Sequence, residues 1–248
     1  MIKKIFEKNE ITFAILLIVL YVVGESITQR LSEAVGINSF AEAVFGIILS
    51  TIIFIFIKRN GLMQYLGLTK PEIPHSKMLF YIPLFLIGSL GAFFGLGLEH
   101  NLPGTIFHTL AMICVGFLEE VIFRGFLFKG IAKQNLTRAV IISSVTFGIG
   151  HIVNLFNGYN LFNNIVQIIF AVMVGFMLAM ILLRTGSIIP CIVFHAFNNC
   201  MTAFISSEHL IGKVGEQKAR IIIITVNCII AAAFTFYVTK LPQREHKQ

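Results

Sequence analysis

Two adjacent acids and an arginine interrupt an otherwise apolar stretch, Glu119-Glu120-Val-Ile-Phe-Arg124. The stretch runs from Thr105 to about Phe128 and has the length and apolarity of a membrane-spanning helix. On insertion scales each charge near the middle of such a helix costs roughly 2.5–3.5 kcal/mol. All three therefore need partners inside a bundle. Glu120 and Arg124 are four apart, one turn apart on one face, and can pair. Glu119 is rotated by about 100° and stays outside that pair. A dry second carboxylate is a candidate for proton chemistry. The plain alternative is a structural ion pair with a spare acid.

Further polar residues fall at membrane depth on other segments. His151 ends Phe147-Gly-Ile-Gly-His151, and His195 and Asn199 lie four apart on one face of His195-Ala-Phe-Asn198-Asn199. Asn198 is rotated away, toward a cap or a neighbouring helix. By helical rise, Glu119 is about 15 Å from Lys129, His195 about 16 Å from Arg184 and His151 about 20 Å from Arg138. Three helices thus bring Glu, His and His to similar levels, as one polar site requires.

Ser143 and Ser144 precede His151 by eight and seven residues, and no serine or cysteine stands near a base in an evident nucleophile motif. Two chemistries stay open. A carboxylate with a histidine can hold and deprotonate a water, while a histidine and an amide on another helix donate to a tetrahedral oxyanion. Alternatively, Glu119, His151 and His195 could hold zinc or another divalent metal with a position left for water. The H-E-x-x-H signature is absent. A ligand histidine normally has a second acceptor to orient it, and at this depth the one further acid is Glu120, matched to Arg124. No cofactor is therefore favoured, with a metal kept as the alternative.

The elements that must position these residues are helices. The chain has 248 residues, 56% of them hydrophobic and 12% charged, against about 25% charged in ordinary soluble domains. The class is all-α, a polytopic membrane bundle of about eight transmembrane helices. Apolar segments fall at about 11–31, 40–57, 78–98, 105–128, 138–156, 162–183, 187–206 and 220–239. Loop 58–77, with Lys58, Arg59, Gly67, Pro71 and Pro74, is the longest polar break. Lys3, Lys4 and Lys8 before the first segment resemble a signal peptide, but no small-x-small cleavage site follows, so a retained span is expected.

With the N-terminus in the cytoplasm, fourteen of the 19 Lys and Arg fall in cytoplasmic loops and tails. Arg30, Lys213, Lys218 and Arg220 fall outside, and Arg124 lies in the membrane. That bias supports both termini in the cytoplasm of a cell membrane. The net charge of +7 is thus a topology signal, and no basic run suggests nucleic acid. Cys114, Cys191, Cys200 and Cys228 lie in apolar segments without C-x-x-C spacing and read as small core residues. The absence of sequence-evident halves or matched broken helices argues against a proton-coupled transporter.

Glu119-Glu120-x-x-x-Arg124, Phe147-x-x-x-His151 and His195-x-x-x-Asn199, in that order on separate helices, resemble the CPBP family of intramembrane proteases. That family holds the Rce1-type CAAX prenyl proteases and the bacterial abortive-infection (Abi) and bacteriocin-immunity proteins. The resemblance covers about residues 104–206 and extends to Gly186-Ser187-Ile-Ile-Pro190. It divides the chain into residues 1–103 with the first three spans, a catalytic core at 104–206, and residues 207–248 with the last span. It implies an eight-helix bundle with a conical cavity. It also implies that Glu119 and His151 activate water, that His195 and Asn199 support the oxyanion, and that Glu120, Arg124 and Phe147 support the site. The implied substrate is a membrane-associated peptide or membrane protein, in peptide maturation, bacteriocin immunity or envelope regulation. A non-catalytic membrane scaffold with the same fold is the alternative. The Lys-, Ile- and Phe-rich, Asp-free composition looks bacterial, so a prenylated CAAX substrate is not carried over. The oligomeric state is left open.

Overall fold

The computed structural model describes residues 2–73, 81–93, 95–205 and 208–240. Among these the architecture is all-helical, and the sole extended pairing is an isolated antiparallel bridge between Leu96 and Ile205. In chain order the helices are α1 (Ile2–Lys8), α2 (Glu10–Val35), α3 (Phe40–Arg59), α4 (Tyr81–Ser89), α5 (Leu102–Glu119), α6 (Phe128–Ala132), α7 (Leu136–Gly150), α8 (Leu161–Thr185), α9 (Ile189–Cys200), α10 (Glu208–Val214) and α11 (Glu216–Lys240). A π-helical stretch, Glu120–Leu127, joins α5 to α6 without a break.

Among the described residues, six helices are long and apolar enough to cross a membrane: Glu10–Val35, Phe40–Arg59, Leu102–Ala132, Leu136–Leu155, Leu161–Thr185 and Gln217–Lys240. The chain is a multi-pass membrane protein. Two of the eight expected segments are not among these six in the described residues. The expected segment 78–98 is represented by the apolar helix Ile82–Ala92, and its first residues lie outside the described ones. The expected segment 187–206 is the 12-residue α9 with one 3-10 turn, Met201–Ala203. Twelve residues rise about 18 Å, well short of a hydrocarbon core about 30 Å thick. Apolar content alone could not show that α9 stops early.

Local chemistry sets the helix ends. Asn9, Asn101, Asn135 and Asn160 each accept a backbone N–H of the helix that follows, at 2.8–2.9 Å. Such a cap contributes about 1 kcal/mol. Gly36 closes α2 and Gly186 closes α8 in the left-handed conformation, at φ 76° and 68°. The outward faces carry large apolar side chains, such as Ile15, Val19, Val23 and Ile27 on α2, which suit lipid. Inward, α5 packs against α3 and α9, and α8 against α7 and α11.

The polar break after α3 is not a loose loop where it is described. Leu66 is fully buried, and the Gly67 carbonyl accepts the Ile188 N–H at 2.9 Å. The Ser187 hydroxyl donates to the Thr69 carbonyl at 2.6 Å, and the Glu72 N–H to the Thr185 carbonyl at 3.0 Å. This segment therefore braces the turn from α8 into α9, the helix that carries His195. At its start, the Tyr65 hydroxyl and the Lys133 ammonium both donate to Glu10, at 2.6 and 2.7 Å. Burial, then the bond to Glu10, holds the Tyr65 phenol above its ordinary range.

Candidate active site

The site is built where α5 meets α9. One turn before the acids, a Cβ on Gly116 would stand 2.6 Å from the Ala196 backbone nitrogen. Only hydrogen fits there, so glycine lets the two backbones approach and sets His195, the neighbour of Ala196, against the acids. The helix widens directly after Glu119 into the π-helical stretch, all eight residues of which are buried. π-helical segments are rare and gather at functional sites.

The two acids hold one imidazole between them. His195 Nδ1 lies 2.8 Å from Glu120 Oε1, and His195 Nε2 lies 3.5 Å from Glu119 Oε2. Arg124 donates to Glu120 Oε1 at 3.1 Å, and neither side chain reaches solvent. The expected Glu120–Arg124 pair is present, but Glu120 is not taken up by Arg124 alone. Its Oε1 also receives His195, so the orienting acceptor thought to be lacking at this depth is there. Glu119 and Glu120, although on different faces, reach opposite edges of the same ring.

Phe147 ties the remaining parts together. The Arg124 guanidinium stands over its ring at 4.1 Å, and the rings of His195 and His151 meet it edge-on at 5.6 and 5.5 Å. His151 therefore joins the site through Phe147. Its Nδ1 lies 3.2 Å from the Phe147 carbonyl, and no hydrogen bond links it to Glu119 or His195 among the described residues. With Nδ1 given to that carbonyl, Nε2 is left to accept from a water. Asn199 follows His195 by one turn on α9 and is half-buried. Its Oδ1 accepts from Asn198 at 3.2 Å, and the Asn198 backbone lies close to Gly88 of the neighbouring α4.

Two residues outside the motifs also reach the site. The buried Tyr21 on α2 donates its hydroxyl to Glu119 Oε1 at 2.8 Å. Glu119 Oε2 has no hydrogen-bond partner. Asn164 on α8, fully buried, donates to the His151 carbonyl at 2.7 Å and fixes the chain where α7 ends. Neither stood out in the sequence. Tyrosine is ordinary in a membrane helix, and Asn164 sits within one turn of an N-cap, where asparagine is common.

Among the described residues no three of His, Cys, Asp and Glu are grouped to hold a metal ion. Both nitrogens of His195 face acids, and His151 stands beyond Phe147. As arranged, Glu119, His151 and His195 do not form a zinc ligand set.

Residues 100–201 match the family model of the Rce1-like, type II CAAX prenyl endopeptidases. This segment contains α5 to α9 and every motif residue, and the family it matches is the one that the motifs resemble. No curated protein and no solved structure matches the chain.

Proposed function

We propose that the protein is an intramembrane endopeptidase in which Glu119 activates water against a peptide bond of a membrane-associated peptide or membrane protein. One observation carries this reading. Glu119 Oε2 is buried, unpartnered and 3.5 Å from His195 Nε2, inside a helix long enough to cross the membrane. Glu120 Oε2 is bare as well, but Glu120 already bonds Arg124 and His195 through Oε1, whereas the bare oxygen of Glu119 is the one turned to His195 Nε2 and open to chemistry.

Water bound at Oε2, with His151 Nε2 as a second acceptor, gives its proton to Glu119 as its oxygen attacks the carbonyl carbon. The tetrahedral oxyanion receives hydrogen bonds from His195 Nε2 and from the Asn199 amide. Glu119 then passes the proton to the leaving amine as the C–N bond breaks, and returns to its starting state. His195 is placed for these tasks, with Nδ1 against Glu120 and Nε2 turned toward Glu119. Glu120 and Arg124 serve to orient His195. No step passes through a metal.

The positive-inside bias supports both termini in the cytoplasm of a cell membrane, and the Asp-free composition supports a bacterial one. The composition supports a substrate without a prenyl group. The test is a comparison of membrane peptides and new N-termini in cells carrying the wild type or Glu119→Gln. The expected result is at least one membrane peptide that accumulates uncut in the variant. Identical profiles would remove the proposed activity.

A further inference from the structure

The Rce1-like match begins at residue 100, yet one of the hydrogen bonds to Glu119 comes from residue 21. Tyr21 is 6% exposed and sits on the inward face of α2. That face carries a polar stripe at helical spacing, Tyr21, Glu25, Thr28 and Ser32, within an otherwise apolar span. Thr28 bonds its own backbone, and Ser32 bonds Glu42 on α3. Glu25 lies within electrostatic reach of Tyr21 and Glu119. The phenol thus has two acids near it and is bonded to Glu119.

A carboxylate has two oxygens, and a general base works with one of them. Tyr21 occupies Oε1 at 2.8 Å, while Oε2 is left bare beside His195 Nε2. Without that donor the carboxyl group can rotate, exchanging the oxygen that faces His195. Near-attack geometry is sensitive at the level of an ångström. Phenylalanine would fill the same space and supply no donor.

We propose that Tyr21 is a positioning residue of the active site, whose hydroxyl pins Glu119 Oε1 and thereby directs Oε2 at the water. By this inference the Rce1-like segment does not hold a complete site by itself; α2 completes it. The inference rests on Glu119 acting as the base.

Two measurements on the full chain in detergent test it, using Tyr21→Phe. The first reads cleavage, per folded molecule, of the membrane peptide that accumulates in Glu119→Gln cells. The expected result is kcat lower by about 10- to 100-fold with KM within about twofold. An unchanged kcat, or a raised KM at constant kcat, would overturn the proposal. The second measurement needs no substrate. The infrared carboxylate band of Glu119 is isolated by subtracting Glu119→Gln from the wild type, and Tyr21→Phe/Glu119→Gln from Tyr21→Phe. A shift between the two difference bands is expected, and coincident bands would overturn the proposal. A shifted band in cells that show no uncut peptide would remove the protease reading while leaving the Tyr21–Glu119 bond in place.

Discussion

Glu119, Glu120, Arg124 and His195 lie against one another at membrane depth, and the Glu119 oxygen left bare beside His195 is where the chemistry is proposed. Arg124→Ala removes a guanidinium from a fully buried pair, but His195 stays as a partner of Glu120. The expected destabilisation is therefore at the low end for breaking a buried pair, about 3 kcal/mol, read as a lower melting temperature in detergent. Asn199→Ala leaves the acids untouched and is expected to lower kcat by about 10²–10³ with KM little changed. Unchanged turnover in this variant would remove the amide from the oxyanion role. The charged residues were legible because three charges in an apolar run must be paired or functional. The sharing of Glu120 between Arg124 and His195 was not, since spacing on one helix says nothing of what the next helix presents. Tyr21 was hidden for a similar reason: helical spacing sets its face, and the tertiary fold decides which acid that face meets.

At the scale of the element, the approach of α5 to α9 decides whether a site exists. Gly116→Ala would set a methyl carbon 2.6–2.9 Å from the Ala196 backbone and Cβ. The expected cost is about 1–3 kcal/mol, with loss of cleavage out of proportion because His195 shifts with α9. Full activity in a stable Gly116→Ala protein would show that the contact does not set the geometry. Helix ends were legible where an asparagine stands at an N-cap or a glycine follows the last turn. The π-helical stretch at Glu120–Leu127 was not, because the same apolar residues suit α and π turns alike. Nor was the early stop of α9, whose sequence stays apolar beyond its last turn. The bracing of α9 by residues 66–72 was hidden because it runs through backbone carbonyls, which every residue type supplies.

For the whole molecule, hydrophobic content and the absence of Asp made a membrane bundle legible, and six full-length helices accord with it. Orientation remains a proposal drawn from charge. Reporter fusions after Lys70 and Lys133 are expected to report cytoplasm, and fusions near Asn101 and Asn157 the outside. A cytoplasmic signal at Asn157 would move His151 to the other side of the site. The roles of the motif residues came from family resemblance, whereas the convergence of the two acids on one imidazole came from the fold.

The central claim is that Glu119 takes a proton from water and does little else. It is tested most directly by purified wild type and Glu119→Gln, compared for cleavage of the peptide that accumulates in variant cells and for melting temperature in the same detergent. The carboxamide can still accept from Tyr21, so the fold keeps that bond while the proton acceptor is gone. The account predicts matched melting temperatures with cleavage abolished in Glu119→Gln. Cleavage by Glu119→Gln at the wild-type rate would contradict it.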